Sequence, residues 1–113
     1  MHELSLLENV REIIEQQAIN QNFTKVTCVT LDIGALSSVE PEAIRFGFDV
    51  VMQGSLAEQA ELVIEQSPGI GICEKCRQQV TLSTLYQPCP LCEHFAVTIL
   101  HGTDMKIKTL NVL

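Results

Sequence analysis

The chain has 113 residues, 46% of them hydrophobic, with seven Lys and Arg against fourteen Asp and Glu for a net charge of −7. That length suits one domain, or a small core with a smaller module attached. The acidic balance argues against nucleic-acid binding, whose affinity rests on cationic contacts to phosphate. No apolar run approaches the roughly 20 residues of a membrane helix, and no basic stretch followed by an apolar one opens the chain. A cytoplasmic protein with no membrane attachment is expected. Five cysteines, four in Cys-x-x-Cys pairs, also suit a reducing compartment better than a disulfide framework.

Over residues 3–20 the apolar positions Leu6, Val10, Ile13, Ile14 and Ala18 recur at steps of three and four. Glu8, Arg11, Glu12, Glu15 and Gln16 fill much of the remaining surface, which predicts an amphipathic helix. Residues 20–22 (N-Q-N) are its expected stop. Residues 25–33 (K-V-T-C-V-T-L-D-I) are rich in β-branched side chains and predict a strand ended by Gly34. Thr27, Val29, Leu31 and Ile33 would share one face, with Val26, Cys28, Thr30 and Asp32 on the other. Cys28 reads as a small buried hydrophobe.

Pro41 fits the first turn of a second helix, where its missing N–H costs nothing. In that helix Ile44, Phe48 and Val51 form a stripe that Ala43, Phe46 and Val50 widen, and Gly54 breaks it. Residues 61–66 (E-L-V-I-E-Q) predict a second strand. Residues 67–69 (S-P-G) read as a hinge into the cysteine module, and Gly102 as its exit. Inside the module, residues 80–82 and 97–100 are the expected ribbon strands. In residues 105–113 the apolar phase slips by one between Ile107 and Leu110, which predicts a closing strand with either a bulge or partial cover on both faces.

The module carries C-E-K-C, twelve residues, then C-P-L-C. Two such knuckles place the thiols of Cys73, Cys76, Cys89 and Cys92 within reach of one ion, in the closed tetrahedral arrangement of structural zinc. A four-cysteine iron site and a redox dithiol are the rival readings. Four thiolates around a divalent ion would add roughly two negative charges to an acidic chain. The module offers only Lys75 and Arg77 as cations, again unlike a nucleic-acid ribbon.

The opening Met1-His2-Glu3 carries a second metal chemistry. Met1 is expected to stay, because a side chain as large as His2 hinders its removal. The Met1 amine, the His2 amide nitrogen and the His2 imidazole can then close adjacent five- and six-membered chelate rings. Such a set suits tetragonal Ni(II) or Cu(II), with Glu3 available for a further position. A histidine after the first Met is more often an ordinary surface residue, and the pattern alone does not choose. His94 and His101 are each either auxiliary ligands or solvated ribbon residues. Phosphate-cradling loops, nucleophile elbows and His-Glu-x-x-His are absent, so no enzyme is expected.

M-H-E-L-S-L at the start, L-D-I-G-A-L-S-S-V-E, R-F-G-F-D-V-V and the C-E-K-C…C-P-L-C pair together resemble the hydrogenase nickel-incorporation proteins, the HypA/HybF family, over the whole chain. The resemblance implies a nickel metallochaperone for maturation of nickel-iron hydrogenase, with some members also serving urease. It implies nickel at His2, with the Met1 amine and Glu3 beside it, and structural zinc at Cys73, Cys76, Cys89 and Cys92. It further implies a GTPase maturation partner and the precursor of the hydrogenase large subunit as recipient. One departure stands out: many members have His directly after the last cysteine, whereas here Glu93 intervenes before His94.

The expected architecture is α+β, with two helices on a three-stranded mixed sheet and a zinc-ribbon-like module inserted before the last strand. Residues 1–67, closed by a strand at 103–113, would form the nickel-binding domain, and residues 68–102 the zinc module. Nickel delivery is the leading function, and a zinc-ribbon adaptor without transferable metal is the alternative. A homodimer is left open.

Overall fold

The computed structural model describes residues 3–113, so the Met1 and His2 expectations lie outside the described residues. In chain order the described elements are α1 (Glu3–Gln21), β1 (Val26–Gly34), α2 (Pro41–Met52), β2 (Glu61–Ser67), β3 (Gly69–Cys73), β4 (Gln79–Leu82), β5 (Val97–His101) and β6 (Met105–Val112). One three-stranded sheet has the order β2-β1-β6 and another the order β4-β3-β5. This is the α+β arrangement expected from the sequence, with the strands of the first sheet running both ways. The Leu113 amide donates to the Lys25 carbonyl and the Gly34 amide to the Asp104 carbonyl, so β6 is antiparallel to β1. Val26 donates to the Leu56 carbonyl and Ala35 to the Ser67 carbonyl, so β2 runs parallel to β1.

By internal contacts the chain forms two units. The first holds residues 1–31, 39–65 and 106–113. Its buried residues include Leu7, Val10, Ile14 and Ala18 of α1, Ile44, Phe48 and Met52 of α2, and Val26, Val29 and Leu31 of β1. The α1 stripe therefore runs through Leu7 rather than Leu6, and Ile13 is exposed. In α2, Phe46 and Val50, expected to widen the core stripe, point to solvent, and Gly47 and Met52 take their place inside. Gly47 is buried because α1 comes close: a Cβ there would lie 3.0 Å from Leu7 Cδ1 and 3.3 Å from Leu4 Cδ2. Arg11 ties the end of α2 to α1, its Nη1 donating to the carbonyls of Val51 (2.8 Å) and Gln53 (3.1 Å). A cation on carbonyls at a helix C-terminus is well placed against the helix dipole. In β1 the expected alternation holds from Val29 onward, but Val26 is buried and Thr27 exposed. Val26 joins the interior at the turn that follows α2, through its hydrogen bond to Leu56, the neighbour of buried Ala57.

The second unit holds residues 32–38 and 66–105. Here the sequence reading missed a strand. Residues 69–73 (G-I-G-I-C), for which the sequence predicts no strand beyond the hinge at 67–69, form β3, the centre of a three-stranded sheet rather than part of a two-stranded ribbon. Two glycines in five residues hide a strand from propensity, because glycine packs nothing and is depleted in sheets. Their reason is close approach: a Cβ on Gly71 would lie 2.7 Å from Val97 Cγ1 and 2.9 Å from the Thr98 carbonyl oxygen. β3 pairs antiparallel with β4, Gly71 opposite Val80, and with β5, Gly71 opposite Ile99, past an irregularity between Ile70 and Gly71. Its inward positions Gly69, Gly71 and Cys73 face the same interior as Val80 and Leu82.

Residues 32–38 join this unit through backbone bonds. Gly34 donates to the Asp104 carbonyl at 2.8 Å, Ala35 to Ser67 at 2.8 Å and Leu36 to Gly102 at 2.7 Å. The Ser67 hydroxyl donates to the Asp32 carboxylate. The three strands of chain touch so closely that Gly34, Gly69 and Gly102 meet without side chains between them. Gly102 also takes φ +102, which strains any residue with a Cβ. Leu36 is thereby held in the core of the cysteine unit, with Cys73, Val80, Leu82 and Cys89.

Candidate metal centre

The two knuckles are built alike. In the first, the Arg77 amide donates to the Cys73 carbonyl at 2.9 Å, and Cys73 N–H donates to the Gln78 carbonyl at 3.1 Å. In the second, the Glu93 amide donates to the Cys89 carbonyl at 2.8 Å, and Cys89 N–H donates to the His94 carbonyl at 2.8 Å. Each turn closes on a left-handed residue, Arg77 at φ 62 and Glu93 at φ 64. Each also turns backbone N–H groups onto its first sulfur. Lys75 (3.4 Å) and Cys76 (3.5 Å) donate to Cys73 Sγ, and Leu91 (3.4 Å) donates to Cys89 Sγ.

This repetition accounts for the residue between Cys92 and His94. Glu93 is the left-handed closing residue of the second knuckle, as Arg77 is of the first. His94 supplies a backbone carbonyl where Gln78 does. Its ring is outside the four-cysteine group, and His101 stands exposed at the end of β5.

All four sulfurs lie within 4.8 Å of one another, with Cys73 3.5 Å from Cys92 and Cys76 3.8 Å from Cys89. A tetrahedron with Zn–S bonds of about 2.3 Å has edges of roughly 3.8 Å, so the donor set fits a tetrahedral thiophilic ion. The sulfurs are also part of the core. Cys73 and Cys89 are buried beside Leu36, Val80 and Leu82, and Cys76 and Cys92 pack against them. Without an ion, four thiols would form much of a core that has few other large side chains.

The electrostatics make the two thiols of the first knuckle unequal. Hydrogen bonds from the Cys76 amide, and then from Lys75 and the neighbouring thiols, outweigh burial and bring Cys73 from 9.0 down to about 6. At Cys76 a hydrogen bond from Gln78 pulls downward, but burial and the Cys73, Cys89 and Cys92 thiols together push it up to about 11. Of this pair Cys73 is the more readily ionised, and its charge lies where backbone dipoles already point.

At the start of α1, the Glu3 carboxylate accepts a hydrogen bond from the Glu40 amide at 3.4 Å. Glu40 is the N-cap of α2 and makes no side-chain cap of its own. The residue following His2 is therefore held at the head of α2, beside a second acidic residue that the sequence reading passed over. No local pattern could have paired positions 3 and 40. Leu36 was missed for a similar reason: in L-D-I-G-A-L-S-S it reads as turn, and only the backbone junction carries it into the cysteine core.

Comparison with known proteins agrees with these features along the full length. A family model described as hydrogenase/urease nickel incorporation, metallochaperone, hypA matches residues 1–112. Proteins named hydrogenase maturation factor HypA share 49% identity over 113 residues in Azorhizobium caulinodans, covering 100% of both chains, and 46% over 112 residues in Psychromonas ingrahamii, covering 99% of this chain and 98% of the other. The solution structure of the Ni metallochaperone HypA from Helicobacter pylori superposes with a TM-score of 0.77 at 25% identity, covering 100% of this chain and 98% of that one. Among the described residues no helix is long and apolar enough to cross a membrane. With its knuckle pair, its α+β fold and this match from end to end, the chain belongs to the HypA family of hydrogenase and urease nickel-incorporation metallochaperones.

Proposed function

We propose that this protein carries Ni(II) on its first residues and delivers it to an immature nickel-iron hydrogenase, while Cys73, Cys76, Cys89 and Cys92 hold a structural zinc ion. Membership of the family over residues 1–112 is the observation that carries the reading. The chemistry of the two donor sets supports the division of labour. Four thiolates on two closed knuckles leave no open position, and zinc bound there serves the fold. The His2 imidazole, the His2 amide nitrogen and the Met1 amine prefer Ni(II), with Glu3 as a further donor, and a site at a chain end opens by rotation of a few bonds. The first set keeps its ion and the second gives its ion up. A GTPase maturation partner and the hydrogenase large-subunit precursor are the partners of this role, which is that of a cargo carrier rather than a catalyst.

The test is metal analysis of untagged, zinc-loaded protein dialysed against Ni(II), with wild-type and His2→Gln chains compared. Glutamine keeps a large second residue and therefore keeps Met1. The expected result is one zinc per chain in both and one nickel in the wild type alone. Unchanged nickel affinity in His2→Gln would refute the cargo site at His2, and no nickel in either chain would favour a zinc-ribbon adaptor.

A further inference from the structure

In the first unit, Leu4, Ala43, Phe46, Gly47 and Val50, with Glu3 at one end, line a groove of about 420 Å³ between α1 and α2. Its apolar residues face solvent: Phe46 is 85% exposed, Val50 61% and Leu4 54%. Isolated exposed apolar residues are ordinary, but three on adjoining helix faces around one groove mark a docking surface. Gly47 forms the floor, where a Cβ would lie 3.0 Å from Leu7 Cδ1 and 3.3 Å from Leu4 Cδ2.

The border of the groove is acidic, and this selects the occupant. Glu42 and Asp49 lie on the outward side of α2 beside Phe46 and Val50, and Glu8 follows Leu4 by one turn on α1, all exposed. The two arginines nearby are already engaged. Arg11 Nε donates to Glu15 at 3.0 Å while its Nη1 holds the end of α2, and Arg45 stands 4.0 Å from Glu42. Glu8 and Asp49 make no ion pair among the described residues. A second copy of this chain would bring the same carboxylates against each other, so self-association across this face is electrostatically opposed.

We infer that the α1–α2 groove docks an amphipathic helix of a partner protein, one with apolar anchors flanked by Lys and Arg, and that Phe46 is its central contact. This deepens the delivery reading, because Glu3, the neighbour of His2, forms one end of the groove. A partner seated there stands beside Glu3, which the delivery reading offers as a further nickel donor. Helix-in-groove recognition of this kind reads anchors at helical spacing, and like-charged borders exclude wrong partners.

The probe is a labelled synthetic helix of Leu and Lys with one apolar stripe, titrated into full-length zinc-loaded protein without nickel. A Leu and Glu helix of the same pattern is its counterpart. The Lys helix is expected to bind, to shift the amides of residues 4–8 and 43–50 most, and to weaken as salt screens the border. Phe46→Ser should weaken it about tenfold or more, since a central aromatic anchor dominates such contacts. Asp49→Lys with Glu8→Lys should reverse the preference toward the Glu helix. Phe46→Ser should still take up one nickel and one zinc, so failure of docking and failure of the cargo site are separate results. The inference is overturned if Phe46→Ser binds within twofold of wild type or if the amide shifts map elsewhere. It is equally overturned if sedimentation shows a dimer that Phe46→Ser abolishes, which would make the groove a self-association face.

Discussion

Replacing Gly34 with Ala would drive a methyl carbon into the carbonyl group of Gly102 and to 2.8 Å from Gly102 Cα. The obstruction is backbone, so no side-chain rotation relieves it, and the two segments must separate by a good part of an ångström. Three backbone hydrogen bonds depend on their closeness, from the amides of Gly34, Ala35 and Leu36 to the carbonyls of Asp104, Ser67 and Gly102, at 2.7–2.8 Å. Losing two of them costs about 2 kcal/mol at about 1 kcal/mol each net. Overpacking adds about 1–3 kcal/mol, and the lower unfolded-state entropy of Ala returns about 0.5–1 kcal/mol. The net loss is about 3 kcal/mol, which at an m-value of about 1.5 kcal/mol/M lowers the urea midpoint by about 2 M. The assay is urea unfolding of the zinc-loaded chain followed by circular dichroism, with zinc release recorded by a colorimetric chelator in the same titration. Zinc should leave at lower urea in the variant, because the junction holds Leu36 in the cysteine core. Gly54→Ala is the control. Its Cβ would meet nothing within 4 Å, so only the strain of φ +76 is felt, about 1 kcal/mol. A midpoint for Gly34→Ala within 0.3 M of wild type (roughly 0.5 kcal/mol) would refute the claim that this crossing is rigid.

Two further outcomes follow from the cysteine unit. Chelating the zinc should raise amide exchange across residues 66–105 by orders of magnitude while leaving α1 and α2 protected, because Leu36, Val80 and Leu82 are too small a core to hold the unit alone. Exchange that stays slow in β3 after chelation would contradict this. In the folded unit, hydrogen bonds from the Cys76 and Lys75 amides outweigh burial and bring the Cys73 thiol from 9.0 down to about 6. Its thiolate favours the folded form, so that stabilisation is complete above the ordinary thiol value and is lost as pH falls through about 6. Acidification of the zinc-loaded chain should therefore release zinc to a colorimetric chelator and unfold residues 66–105 in the same step, since only deprotonated thiols hold the ion. Zinc lost on acidification from a unit that keeps its amide protection would refute the coupling.

How far the sequence could be read depended on how local each cause is. The α1 and α2 helices, the β1, β2 and β6 strands and the two cysteine knuckles each announce themselves within a window of a few residues. Apolar spacing, β-branched runs and Cys-x-x-Cys turns are local physics. Pro41 and residues 20–22 marked helix ends correctly for the same reason. Where an amphipathic stripe was broad, spacing could not say which edge turns inward. Phe46 and Val50 sit on the outer edge, and the interior closes on Gly47 and Met52 instead, because α1 packs against that face.

What the sequence determined by itself, then, is the inventory: an α+β frame, two knuckles with four thiols, and a His-bearing start whose composition resembles one family. Tertiary structure decided what those parts touch. β3 exists because its glycines admit Val97 and Thr98, not because its residues favour strands. Residues 32–38 belong to the cysteine unit because backbone at Gly34, Gly69 and Gly102 can meet without side chains. Cys73 and Cys76 share one motif and differ in acidity because different amides and thiols face each sulfur. Spacing along a chain sets which atoms can meet, and only packing between distant segments sets which ones do.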